Sequence, residues 1–557
     1  MDTGKHRFGD KYEGKGWDFL CVISNGHCII ITSQFRMDYK GDGMSGRLFF
    51  AAEIILFLFC SAFAEQPPEQ RWVARYNGFV NDNDKICDLS VDSSGNVYVT
   101  GYSYGGVTGY NYATIKYDPN GEQLWMQRYD GPGDNDDMAY ALAVDSSGNV
   151  YVTGYSTNID TSIDCATIKY DPNGEPLWSA YYNGSSEICY GGKVVADGAG
   201  NIYVEGSDYD YMLSPFETYP LYSNCITIKY DSNGSQLWAA RYGYPTYNSS
   251  WSEDMAADGI GNIYVAGTIK NTSSGYDYLT IKYDNSGNRL WTRNYNGPSN
   301  GNDFASSIAL DGGGNIYVTG KSTGSGTNYD YATIKYDPNG NQKWAARYNG
   351  SGNNKDEAYA LAADNLGNVY VTGRSTGSGT DYDYATIKYD PNGNQLWAAR
   401  YNGDGNGADY AYAIALDATD NVYVTGYSYG NGTSYDYLTI KYDPNGNKLW
   451  EKRSNCPQNK ADCATELALD NGGNVYVAGY AEYGSSTTGY DYVTIKYTQH
   501  NYCTGTIETD LNDDCKVDFA DFALFAEDWL GENNWLDLAI LADKWLNCNF
   551  ALQEDCL

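Results

Sequence analysis

The chain has 557 residues and carries 71 acidic residues against 36 Lys and Arg, a formal net charge of −35, which sets it against nucleic acid as a partner. Its 57 Tyr and 63 Gly are the composition of a strand-rich, acidic protein. Histidine occurs only at His6, His27 and His500, so His-based general-base catalysis and multi-His zinc sites have almost no raw material.

In chain order, residues 1–43 are polar, irregular and unlike the remainder, and read as a non-native extension of the reading frame. From Met44 the pattern changes: Arg47 precedes an apolar run from Leu48 to Phe59, and Ala62-Phe63-Ala64 offers a small-x-small cleavage site before Glu65. Residues 44–64 therefore read as a secretory signal peptide, and the expected location is secreted or cell-surface. The rivals are an uncleaved anchor, for which about 20 apolar residues are wanted, and lipid attachment at Cys60, where Phe57-Leu58-Phe59 lacks the small residues required. No membrane span is expected in the mature chain. Export permits disulfides, and Cys87, 165, 189, 225, 456, 463, 503, 515, 548 and 556 all follow the cleavage point.

Residues 65–500 are built from one unit, clearest in Tyr382 to Gly403, YDYATIKYDPNGNQLWAARYNG. The xTIKY phrase occurs eight times, as does GNVYVTG or a near variant, with its Asn at 96, 149, 201, 262, 315, 368, 421 and 474. A Trp heading an ARY-like strand recurs at 72, 125, 178, 238, 291, 344, 397 and 450. Repetition at a period of about 20–50 residues means a repeat architecture. Alternation and turn residues mark four strands per copy: 359–364, 368–372, 384–389 and 396–401. D-x-x-G-N and D-P-N-G between them are tight hairpin turns, with Asp capping its own turn rather than binding calcium. Eight antiparallel four-stranded units without helices predict an all-β fold, an eight-bladed β-propeller. After Lys496 no Trp follows nine residues on, whereas RWVARYNG at Arg71 stands alone before the first complete copy. The N-terminal strand should therefore complete the last blade.

These motifs, ALAVD, GNVYVTG, TIKYDPNG and LWAARYNG, resemble the SBBP-type propeller repeats of bacterial secreted proteins and, more distantly, NHL repeats. The resemblance covers residues 72 to about 497. It implies a strand order from the channel outward of ALAVD, NVYVT, ATIKY and LWAARY, with Trp and Tyr packed between blades. The Lys of TIKY reads as structural, its stem packed and its amine on a carboxylate or water. Cys165 and Cys225 fill equivalent places on neighbouring repeats, either as a cross-blade pair or as buried free thiols.

One connection stands out. From turn Asn to TIKY Lys the spacing is 20 residues in six copies, 22 in the eighth and 28 in the third (Asn201 to Lys229). The extra length, SDYDYMLSPFETYPLYSN, places Tyr209, Tyr211, Phe216, Tyr219 and Tyr222 on an expected exposed loop, a candidate surface for a sugar or a protein. The alternative is a loop folded over the rim to bury its rings.

Residues 501–557 change character, with 13 acidic residues, two Lys and apolar residues at helical spacing. Asp510, Asn512, Asp514, Lys516, Asp518 and Asp521 fall at positions 1, 3, 5, 7, 9 and 12 of a calcium loop, Lys516 through its carbonyl. The echo of Asp521-FALFAEDWL in Asp537-LAILADKWL resembles a type I dockerin, a small helical Ca2+ module, and implies a cohesin-like or cell-surface partner. Cys515 stands where Gly is usual, and the second copy lacks its loop. The function expected is a secreted, non-catalytic binding or scaffold propeller that presents loops to protein or carbohydrate. The alternative is a propeller enzyme: a polysaccharide lyase or glycosidase, for which no repeat shows an evident installed carboxylate pair, or a quinoprotein-like dehydrogenase, whose adjacent-Cys disulfide has no counterpart here.

Overall fold

The computed structural model describes residues 15–24, 27–36, 67–79, 82–184, 188–213, 218–243, 249–456, 459–483 and 489–499, with 15–24, 27–36, 210–213 and 218–222 at the level of the backbone alone. The expected signal peptide at 44–64 and the tail at 501–557, with all six calcium-loop residues, lie outside the described residues. The chain forms two units, Met1–Glu65 and Gln66–Leu557. In the first, Lys15–Ser24 pairs antiparallel with His27–Arg36. The sequence reading treats this stretch as irregular; β-branched runs on either side of Asn25-Gly26 account for the hairpin.

The second unit contains eight four-stranded antiparallel sheets, numbered here as blades 1 to 8 from Asp84. Blade 6 is typical: inner strand Asp356–Ala363, second strand Val369–Thr376, third strand Tyr382–Tyr389 and outer strand Gln395–Tyr401. Each inner strand packs against the inner strand of the next blade, and Asp462–Leu469 of blade 8 packs against Asp84–Val91 of blade 1, closing the ring. Blade 8 is completed by the N-terminal strand Glu69–Tyr76, which pairs with Tyr490–Thr498 so that Trp72 faces Lys496 and Tyr76 faces Tyr492. This is the closure expected from the stray RWVARYNG.

The second and third strands are buried on both faces because each blade is sandwiched between two others. In blade 1, Val97 and Val99 pack toward Tyr476 and Tyr492 of blade 8, while Tyr98 and Tyr112 pack toward Val150 and Ile168 of blade 2. That is why a strand such as VYVT lacks the polar positions of a one-faced sheet. Strand alternation places both tight turns at one rim and the longer connections at the other. In the D-x-x-G-N turn, Asp92 accepts hydrogen bonds from the amides of Ser94 and Asn96, the Asn96 side chain and the Tyr98 hydroxyl, and Gly95 supplies the positive φ of 80°.

The D-P-N-G turn staples blades together. The Pro391 carbonyl accepts from the Trp344 indole at 3.0 Å and the Lys335 amine at 3.2 Å, both on the preceding blade. The same pair meets Pro119, Pro172, Pro338 and Pro444. Each Lys amine also lies over a Tyr ring of its own blade, as Lys335 over Tyr317 at 4.9 Å. The TIKY lysine is thus structural, but a carbonyl and a ring hold it rather than mainly a carboxylate. Blade 8 takes its outer strand from the N-terminus and has no such turn; Gln499 accepts from Lys441 instead, and the buried Trp450 indole has no hydrogen-bond partner among the described residues.

At most junctions a third-strand Tyr donates to the next blade's third strand, as Tyr331 to the Ala385 carbonyl at 3.1 Å. Blade 2 has Cys165 in that place, and it forms a disulfide with Cys189 on the blade 3 inner strand, with Cα atoms 5.0 Å apart. Cys225 is buried and free. The level shared by Cys165 and Cys225 therefore does not pair them: each points to the inner strand of its following blade, and only Cys165 meets a sulfur there.

Candidate functional site

The eight copies differ most on the inner strand toward the long-connection rim. The second residue of the second strand is Tyr in every blade, from Tyr98 to Tyr476. By contrast, every inner strand carries a bulge near its start, and the residue that opens it is Cys87, Tyr140, Gly192, Glu253, Ser306, Tyr359, Tyr412 or Thr465. Bulges re-aim side chains and gather at barrel rims and sites. One residue further on stand Asp88, Ala141, Lys193, Asp254, Ser307, Ala360, Ala413 and Glu466.

That last set forms a charged waist. Lys193 makes no direct ion pair among the described residues and lies in the field of Asp88 foremost, then Glu466, Asp254 and Glu205, which holds its amine protonated well above the usual lysine range. Asp88 and Glu466 belong to blades 1 and 8, so the field on the blade 3 lysine comes from blades that are not its neighbours in the ring. Burial pushes Glu466 up to about 8 and raises Asp88 as well, with Lys193 opposing both. Two of the carboxylates also cap the neighbouring blade: Asp88 accepts from the Leu142 amide at 2.8 Å, and Asp254 accepts from the Ile308 amide and the Ser307 hydroxyl, both at 2.9 Å. Glu205, on the second strand of blade 3, accepts from the Lys193 amide at 3.0 Å, while its other oxygen has no partner among the described residues. Burial pushes Glu205 up to about 8.

Above the waist lies an aromatic collar. On blades 6 and 7 the rings of Tyr359 and Tyr412 stack at 5.1 Å and 8°, and Tyr410 lies nearly parallel to Tyr412 at 6.3 Å and 10°. Arg374 lies over Tyr382 at 4.2 Å and Tyr410 at 4.9 Å, and pairs with Glu357 at 2.8 Å. Lys85 sits over Tyr480 and Tyr490. On blades 4 and 5, Trp251, Tyr276 and Phe304 cluster within 6.4 Å of one another. Tyr155 and Tyr190 meet edge to face at 5.0 Å, and Tyr190 meets Tyr209 at 5.6 Å.

Tyr209 is therefore part of the collar. The long connection of blade 3 is not a loop but an extended hairpin, Ile202–Leu213 paired with Thr218–Tyr230, in which Tyr211 faces Pro220 and Met212 faces Tyr219. The side chains of Tyr211, Phe216, Tyr219 and Tyr222 lie outside the described residues. The sequence reading finds no carboxylate pair installed by any one repeat; the waist instead draws Asp88, Asp254 and Glu466 from three different blades. Its signal was present in the sequence: aligned column by column, the eight inner strands change in chemical class most at their second residue, at the bulge residue and at the one after it. Among the described residues no group of three or more His, Cys, Asp or Glu is arranged to hold a metal ion.

Comparison with known proteins agrees with the repeat. The SBBP family model, described as a beta-propeller repeat, matches residues 72–107, 124–159, 291–327 and 343–379. Each match runs from an outer strand into the inner and second strands of the next blade. No curated protein matches the chain. Solved structures similar to it include a protein of unknown function from Dyadobacter fermentans, 11% identical over 55% of this chain and 93% of that one, with a TM-score of 0.33. A gluconolactonase of Xanthomonas campestris is 11% identical over 55% and 95%, with a TM-score of 0.26. A PL25 ulvan lyase is 11% identical over 70% and 97%, with a TM-score of 0.35. Likeness at this level carries no argument about activity.

Proposed function

We propose that the chain is a secreted, non-catalytic binding propeller that recognises its ligand at the channel mouth on the long-connection rim, while residues 501–557 form a calcium-stabilised, dockerin-like attachment module. The observation that carries this reading is the concentration of divergence on the inner strands at the bulge: most side chains that hold blades together repeat, whereas the bulge residue and the one after it change from blade to blade. Fold alone has no vote on function, but exposed variation on a rigid scaffold is where recognition residues concentrate. Tyr209 supports a contribution from the blade 3 hairpin through its contact with the collar, and Tyr211, Phe216, Tyr219 and Tyr222 continue the same segment.

The test is an array of glycans and proteins probed with residues 65–557 and with residues 65–500. Binding retained by the shorter form assigns recognition to the propeller, whereas loss assigns it to the tail. For the tail, calorimetry of residues 65–557 should give one calcium site that Asp510→Ala or Asp521→Ala abolishes, with the calcium-dependent gain in stability lost by mass action. Two equal sites, or no heat, would contradict the single loop.

A further inference from the structure

Resting on that reading, we infer that the channel mouth over blades 6 and 7 binds a neutral saccharide, its pyranose face stacked on the Tyr359–Tyr412–Tyr410 terrace and its hydroxyls bonded to Arg374 and Glu357. Parallel rings whose centroids are 5.1 and 6.3 Å apart are displaced sideways, because directly superposed rings would be closer. Tyr427 lies against Tyr410 and Tyr412 at 4.9 and 5.4 Å and Arg374 lies over Tyr410, yet all three rings remain half-buried rather than sealed. Below them the waist positions of the same blades are Ala360 and Ala413, which leave space where other blades carry charged side chains. The charges beside the terrace balance: Arg374 pairs with Glu357 at 2.8 Å, and Lys321, 3.5 Å from the same carboxylate, also lies in the field of the Glu253 carboxylate. Such a pair offers donors and an acceptor without demanding a charged ligand. The net charge of −35 further opposes an acidic polysaccharide. A sugar ring, with one face of C–H groups and a rim of hydroxyls, matches that combination.

The experiment is titration calorimetry of residues 65–557 with cellohexaose, xylohexaose, mannohexaose and maltohexaose, and with trigalacturonate as the acidic comparison. At least one neutral hexaose should bind more tightly than trigalacturonate, and Tyr412→Ala should weaken it about tenfold, the effect of losing one stacking contact. Because Tyr412 also packs, Tyr412→Phe is the companion variant: it keeps the stacking ring, so its loss of affinity should be clearly smaller than that of Tyr412→Ala. Absence of heat with all four neutral sugars at about 10 mM, a range covering very weak association, overturns the inference. So does binding unaffected by Tyr412→Ala in a folded variant, or capture of peptides alone. If binding instead disappears on shortening the blade 3 hairpin, the saccharide terrace is wrong while recognition at the rim stands; loss on removing residues 501–557 overturns both.

Discussion

Glu205 is a carboxyl in a column that is otherwise small: Thr100, Thr153, Thr319, Thr372 and Thr425 occupy it in five blades, and Ala266 and Ala478 in two more. In blade 1 the threonine meets Thr114 at 2.9 Å, a short neutral pair. Glu205 instead lies 1% exposed with one oxygen unpartnered, and burial lifts it to about 8. The folded chain thus binds a proton at neutral pH that the unfolded chain has released. Stability from this group is complete below the ordinary glutamate range and is lost as pH rises toward 8. Glu205→Gln should therefore melt higher than wild type at about pH 8, with the difference vanishing near pH 4. Thermal denaturation at the two pH values checks this; an equal difference at both would mean that the carboxyl's charge is not involved.

At the scale of the strand and turn, the blade junction makes two predictions. Trp344 spends its indole on Pro391, whereas Trp450 is equally placed but finds no turn to bond. Trp344→Phe should cost about 1 kcal/mol more than Trp450→Phe, the net worth of one hydrogen bond, by chemical denaturation. The Cys165–Cys189 bond closes a 24-residue separation, and reducing it should cost about 3 kcal/mol on the chain-entropy estimate. The double change Cys165→Tyr with Cys189→Asp restores the residues used at other junctions and should recover part of that loss under reducing conditions; a variant no more stable than the reduced wild type would refute the equivalence. These elements also show what was legible beforehand. Strand existence, order and closure followed from phrases repeated at fixed spacing, because a blade packed on both faces leaves little freedom at its core positions. The waist was not legible in a single copy, since Asp88, Lys193 and Glu466 are brought together only by the ring and lie far apart in sequence. The blade 3 insertion reads as a loop for a related reason: its length signals an excursion, but pairing of Tyr209 with Ser223 and of Met212 with Tyr219 depends on register that aromatic and acidic composition does not set.

For the whole molecule, six inner-strand aspartates begin blades 1, 2 and 5 to 8, each accepting from a backbone amide of the preceding connection, as Asp356 from Gly350 at 2.7 Å. Burial raises all six, Asp409 to about 6 and Asp462 to about 7. The turn aspartates move the other way: hydrogen bonds to Asn96 outweigh burial at Asp92, and the same holds at Asp145 and Asp417. The first group loses stability as pH rises from about 4 toward 8, and the second loses it as pH falls below about 4. Melting temperature should peak near pH 5, between the two windows; a maximum at pH 8 would contradict the balance. The strand Glu69–Tyr76 has a further consequence, one of timing. It leaves the ribosome before any blade exists, yet its partner Tyr490–Thr498 is the last of the described strands, and the Arg75–Asp491 ion pair spans 416 residues. Until then two sheet edges are open, a condition that invites pairing with other chains. Pro67, Pro68 and the charges of Glu69, Arg71 and Arg75 around that first strand are residues that discourage such pairing. Synthesis must therefore pass Thr498 before the molecule can seal itself, and a permuted chain carrying residues 67–78 directly after Thr498 would convert its longest-range pairing into a local one.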